Sequence, residues 1–76
     1  MKINLLDMMR TVLGPDLDET ASQETVRQWD SLNHIRILLE LQSQYHVHIA
    51  AGQVEKLTSF HAIEEFLREA VHQPPG

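Results

Sequence analysis

Between residues 31 and 45 the chain reads SLNHIRILLELQSQY, and its apolar members do not fall on one narrow stripe. At about 100° per residue, Leu32, Ile35, Ile37, Leu38, Leu39, Leu41 and Tyr45 sweep an arc of roughly 220° on a helix. Asn33, Arg36, Glu40, Ser43 and Gln44 share the remaining sector. A single neighbouring helix covers far less than such an arc. The pattern therefore predicts a central helix packed on several sides, inside an all-α fold.

The flanking segments supply its neighbours. Leu5, Leu6, Met9, Val12 and Leu13 recur at helical spacing, and Gly14-Pro15 stops that run, which predicts a first helix over residues 2–13. Residues 14–30 hold no period and carry Asp16, Asp18, Glu19 and Glu24. Leu17, Val26 and Trp29 are spaced through them as apolar anchors, so this stretch reads as a loop laid across the helices, with room for a helical turn at residues 22–27. After the central helix, His46-Val47-His48-Ile49 alternates over too few residues for a strand. A short helix is expected within residues 51–57. The last helix, 59–71, carries Phe60, Ile63, Phe66, Leu67, Ala70 and Val71 on a narrow stripe, with Thr58 or Ser59 able to cap it. Glu64 and Arg68 stand at i,i+4 in the favourable order. Residues 1–72 thus read as one domain, and Pro74-Pro75-Gly76 belongs to a flexible tail at 73–76.

Size and composition narrow the chemistry. A chain of 76 residues affords one modest core, and with no cysteine it has neither disulfides, thiolate metal ligands nor a cysteine nucleophile. Local helix packing is the economical way to stabilise so small a domain. The longest aliphatic run, Ile37-Leu38-Leu39, is far short of the roughly 20 residues that span a bilayer. Asp7 and Arg10 interrupt the apolar start, unlike a secretory signal, so a cytoplasmic location without membrane association is expected. The formal net charge of −5 disfavours nucleic acid and suits partners presenting Lys and Arg.

The chemical interest lies at Asp30-Ser31-Leu32, where the long loop meets the central helix. Ser31 falls in the first turn, close to unpaired backbone N–H groups and the positive end of the helix dipole, where a phosphate ester is electrostatically favoured. The plain alternative is an N-cap, since Asp or Ser ahead of an apolar-periodic run ordinarily marks one. Leu32 either packs inward or offers an apolar contact beside the serine.

The surrounding residues extend the pattern. Trp29-Asp30-Ser31-Leu32-Asn33-His34-Ile35 followed by Leu38, Leu39 and Leu41 resembles the prosthetic-group attachment helix of acyl and peptidyl carrier proteins. Tyr45-His46-Val47-His48-Ile49 is similar to the aromatic-x-aliphatic-x-aliphatic stretch that follows it in that family. Glu55-Lys56-Leu57-Thr58-Ser59-Phe60 leading to Ile63 resembles the family's entry into its last helix. The likeness covers about residues 24–67 in detail. It implies a four-helix acyl-carrier-like bundle, with three longer helices, one short helix and a long loop after the first. It also implies a stand-alone, monomeric carrier that is not an enzyme. A phosphopantetheinyl transferase would place 4'-phosphopantetheine from coenzyme A on Ser31, and the arm's thiol would hold acyl or aminoacyl cargo as a thioester. Asp30 and Leu32 would flank the site that the transferase, a cargo-loading ligase or synthase and downstream enzymes recognise. Carriers of bulk fatty-acid synthesis usually bear acidic residues where Asn33 and Arg36 stand here, so the resemblance points to a specialised, secondary-metabolite-type pathway, with Asn33 and Arg36 selecting a dedicated partner.

Other readings of the same residues are simpler or demand more. Leu38, Leu41, Ile49, Val54 and Leu57 can be a cargo cleft or plain core, and core is the expectation. His46 and His48 share a face if extended, but no cysteine or suitably spaced carboxylate completes a metal set, so these two and His34 are read as solvent-facing. A hydrolase would need Ser31 paired with a base such as His34 inside a pocket that excludes water, which this chain is too small to build. The rival from another class is a small helical interaction module with no prosthetic group.

Overall fold

A computed structural model describes the backbone of residues 4–72 and the side chains of 4–70. The tail expected at 73–76, and the expected helix start at residue 2, lie outside the described residues. The described residues form four helices in order: α1 (Leu5–Leu13), α2 (Ser31–Tyr45), α3 (Ala51–Val54) and α4 (Phe60–His72). Among the described residues there is no strand; the sole sheet-like pairing is an antiparallel bridge between Ser22 and Ser59. Among the described residues no helix is long and apolar enough to cross a membrane.

Local chemistry sets the helix ends. Asn4, in extended conformation, accepts hydrogen bonds from the N–H groups of Leu6 (2.9 Å) and Asp7 (3.4 Å), so α1 begins at Leu5. Gly14 ends it at φ 117° and ψ 158°, a backbone region essentially confined to glycine, and donates its N–H to the Arg10 carbonyl at 2.8 Å. α2 occupies the expected residues, and His46 closes it in the left-handed conformation at φ 55°. α3 is shorter than the expected 51–57 because Glu55 and Lys56 turn away, with the Lys56 and Leu57 N–H groups bonded to the Gln53 carbonyl. Ser59 caps α4, its Oγ accepting from the Ala62 N–H at 3.0 Å, and Arg68 approaches Glu64 to 3.8 Å.

The long segment between α1 and α2 is held in place as anticipated. Leu17, Ala21 and Trp29 are buried, and Val26 packs on the core. Arg10 Nε–H donates to the Leu17 carbonyl at 2.9 Å. The Gln23 N–H reaches the Thr58 carbonyl at 2.8 Å, and the Phe60 N–H the Ala21 carbonyl at 2.9 Å. Residues 22–27 form a hydrogen-bonded turn rather than a helix, with the Val26 N–H on the Ser22 carbonyl at 2.9 Å.

The expected enclosure of the central helix is overturned. α2 is not enclosed on all sides: Ile37, Leu38 and Leu41 are buried, whereas Leu32, Ile35 and Leu39 are 70%, 47% and 59% exposed. The apolar pattern records which positions tolerate burial, not how many neighbours a short chain can supply. α1 packs directly on α2, and α3 spans only four residues, so the Leu32–Ile35–Leu39 row faces solvent. The core comprises Met9, Trp29, Ile37, Leu41 and Ile63, all fully buried, surrounded by Met8, Leu13, Leu38, Leu57, Phe60 and Leu67.

Candidate functional site

Asp30 stands at the N-cap of α2 with extended backbone (φ −89°, ψ −175°), and its Oδ1 accepts the Asn33 N–H at 2.9 Å. Its main-chain carbonyl receives the His34 N–H at 2.8 Å. With Asn33 satisfied by the cap, Ser31 and Leu32 keep N–H groups for which the helix has no acceptor. No acidic residue lies in this first turn. The Ser31 side chain is exposed, and among the described residues its hydroxyl makes no hydrogen bond to the protein. Asp30 and Ser31 therefore divide the two roles left open by the sequence: the aspartate caps, and the serine oxygen stays free at the positive end of the helix.

The neighbouring positions differ in how freely they face outward. Leu32 projects into solvent. Asn33 is half-buried; its Nδ2 donates to the Gln28 carbonyl at 2.7 Å, tying the loop to the helix, and its Oδ1 accepts from Arg36 Nη1 at 3.5 Å. Arg36 itself is exposed. Asp30, Leu32 and Arg36 thus present their side chains at the surface around Ser31, while the half-buried Asn33 amide is engaged with the Gln28 carbonyl and Arg36 at the surface.

His34 departs from expectation. It is buried, at 6% exposure, and lies between two partners. Trp29 Nε1 stands 3.0 Å from His34 Nδ1, and His34 Nε2 lies 2.7 Å from the Val54 carbonyl. An indole N–H can only donate, so Nδ1 must accept and Nε2 must carry the proton that Val54 receives. The two rings tilt by 39° with centroids 6.1 Å apart. Neither nitrogen of His34 is left to draw a proton from Ser31, so His34 does not stand as a base for that hydroxyl. The signal for this burial was present in the spacing: His34 shares a helical face with Ile37, Leu38 and Leu41. His46 and His48 are exposed, as expected, and the described residues contain no group of three metal-ligating side chains.

Beside Ser31 runs an open groove of about 330 Å³. Ser31 and Ile35 form one wall, Val54, Glu55 and Thr58 the other, with His34 and Gln23 completing it. Of the five residues weighed as a cargo cleft, Leu38, Leu41, Ile49 and Leu57 are core, and only Val54 lines this groove. Its lining combines apolar side chains with polar ones, and Ser31 among them is exposed.

Elsewhere two groups are electrostatically tuned. The Asp18 carboxylate accepts the Thr20 hydroxyl and the Thr20 N–H, and those bonds hold its pKa below the usual 3.8. Partial burial pushes the Tyr45 phenol above its ordinary 10.0. Both lie away from the Ser31 groove.

Comparison with known protein families, with curated proteins and with solved structures finds no match to this chain.

Proposed function

We propose that this chain is a carrier protein that bears 4'-phosphopantetheine on Ser31 and holds acyl or aminoacyl cargo for a specialised biosynthetic pathway, without being an enzyme itself. The observation that carries the reading is the Ser31 hydroxyl: exposed, unbonded within the described fold, and set in the first turn of α2 beside an open groove. A transferase must bring that oxygen to the phosphorus of coenzyme A, forming one P–O bond as the bond to 3',5'-adenosine bisphosphate breaks and the serine proton leaves. A hydroxyl already engaged inside the protein would first have to be released.

The local residues fit a phosphodiester at this position. The N–H groups of Ser31 and Leu32 and the α2 dipole favour negative charge there. The arm supplies a terminal thiol, a function the cysteine-free chain lacks. Asp30, Leu32 and Arg36 are exposed around the serine where a transferase or a cargo-loading ligase would meet them, and Asn33, half-buried, ties that surface to the loop through Gln28. We take the carrier to act as a cytoplasmic monomer.

The exposed row of Leu32, Ile35 and Leu39 also serves a second reading, a helical interaction module with no prosthetic group. Labelling separates the two. With a fluorescent coenzyme A analogue and a promiscuous phosphopantetheinyl transferase, the carrier becomes labelled and fragmentation places the label on Ser31. An unlabelled chain, or a label mapped elsewhere, overturns the proposal.

A further inference from the structure

Apart from Val54, which packs partly buried on the core, the short helix α3 has little of its own to hold it. Four residues make barely one turn, far below the length at which a helix persists in water. None of its residues is buried, and no side chain at its N-cap residue, Ala50, accepts from its backbone; Gln53 Oε1 supplies a bond in the other sense, accepting from the Ala50 N–H at 3.0 Å. Ile49 before it and Leu57 after it are anchored in the core. Between those anchors, among the described residues, the side-chain hydrogen bond that joins α3 to another element is the one from His34 to the Val54 carbonyl.

That bond depends on a second. Trp29, fully buried at the end of the long loop, donates its indole proton to the other nitrogen of the same imidazole. The indole therefore selects the tautomer that points a proton at Val54. Loop, central helix and short helix are joined through one ring. Val54 and Glu55 line the groove together with Ser31 and Ile35, and Val54 is held there both by packing on the core and by the His34 bond.

We propose that His34 is a positioning residue: a latch that holds α3 against the first turn of α2 and so sets the groove in which a transferase and the chain attached at Ser31 are received. The groove assignment rests on the carrier reading; the latch itself does not. His34 touches neither the reacting oxygen nor the transferred group.

The test uses the complete chain. In the wild type, ring ¹⁵N shifts of His34 show a protonated Nε2 and an unprotonated Nδ1; the opposite tautomer overturns the latch without recourse to any variant. His34→Leu removes both bonds, whereas His34→Gln keeps an oxygen for the indole and an N–H for Val54. Hydrogen exchange at the Lys56 and Leu57 amides, which close the turn after α3, accelerates about tenfold more than exchange in α4 in His34→Leu, the scale of one lost hydrogen bond. His34→Gln restores most of that protection. Equal acceleration throughout both helices, or none, refutes the latch. If His34→Leu fails to fold, the ring shifts and His34→Gln still decide. In transferase assays, His34→Leu raises KM several-fold with kcat little changed, and His34→Gln recovers it; an unchanged KM alongside lost α3 protection refutes the groove assignment. A wild-type chain that accepts no arm sinks the carrier reading instead, and leaves the latch to be judged by exchange and ring shifts.

Discussion

Asp30 stands directly before the serine and holds two separable roles. Its carboxylate caps α2 through one hydrogen bond, 2.9 Å from the Asn33 N–H, and its charge faces the positive end of the helix dipole. Replacing it with alanine removes both. The lost cap costs about 1 kcal/mol, and the lost charge–dipole attraction about 0.3–1 kcal/mol at low salt. Asp30→Asn keeps an oxygen for Asn33 and forfeits only the second contribution. For a domain of this size about 1 kcal/mol moves the melting midpoint by roughly 4–8 °C. Differential scanning fluorimetry at low and high salt therefore yields a definite pattern. Asp30→Ala melts several degrees below Asp30→Asn at every salt concentration, and the gap between Asp30→Asn and wild type narrows as salt rises. Equal midpoints for the two variants would show that the cap bond contributes nothing and that this account of the helix start is wrong. The same pair reports on recognition: if the transferase reads the charge, Asp30→Asn lowers kcat/KM for arm transfer while leaving most of the stability intact.

Adjacent leucines on α2 separate core from surface: Leu38→Ala destabilises by about 2–5 kcal/mol, while Leu39→Ala stays within about 0.5 kcal/mol, because the first is 4% exposed and the second 59%. Comparable losses in urea titration would contradict the orientation of the helix. Two glycines respond in opposite directions although neither would bring a Cβ within 4 Å of anything. Gly14→Ala forces alanine to φ 117° and costs about 1–3 kcal/mol, whereas Gly52→Ala, inside α3, gains about 0.5–1 kcal/mol; thermal melts that shift the same way would refute the assigned backbone. Since the folded state lowers the Asp18 pKa, its contribution is complete above about 3.8 and is lost as pH falls through the depressed value. In Thr20→Val the hydroxyl donor is gone but the backbone N–H remains, so NMR titration finds the Asp18 midpoint moved up toward 3.8; an unmoved midpoint would eliminate the Thr20 hydroxyl as the main cause.

How far the sequence spoke depended on whether the deciding contacts were local. Asp30 ahead of an apolar-periodic run placed the start of α2 correctly, because capping is settled within four residues. Leu17, Val26 and Trp29 marked the long loop as anchored, since apolar side chains in an aperiodic acidic stretch have little other use. The exposure of Leu32, Ile35 and Leu39 was not legible: a wide apolar arc looks the same whether or not a neighbour arrives to cover it. For His34 the helical face shared with Ile37, Leu38 and Leu41 is legible in the spacing, but its hydrogen-bond partners are not. Its burial requires Trp29 and the Val54 carbonyl, one five residues away and the other twenty, and the second contact exists only once α3 has docked. The three-residue overreach at the end of α3 has the same origin, because nothing in Glu55-Lys56-Leu57 forbids a helix. For Ser31 the sequence supplied position and motif, and the structure added the exposure of the hydroxyl and the groove beside it.

Intact mass spectrometry of the apo chain after incubation with coenzyme A and a phosphopantetheinyl transferase tests the central claim most directly, with Ser31→Ala run alongside. The account predicts a gain of one phosphopantetheine on the wild type and none on the variant. A wild type that stays at its unmodified mass, or a variant that gains the same increment, would contradict it.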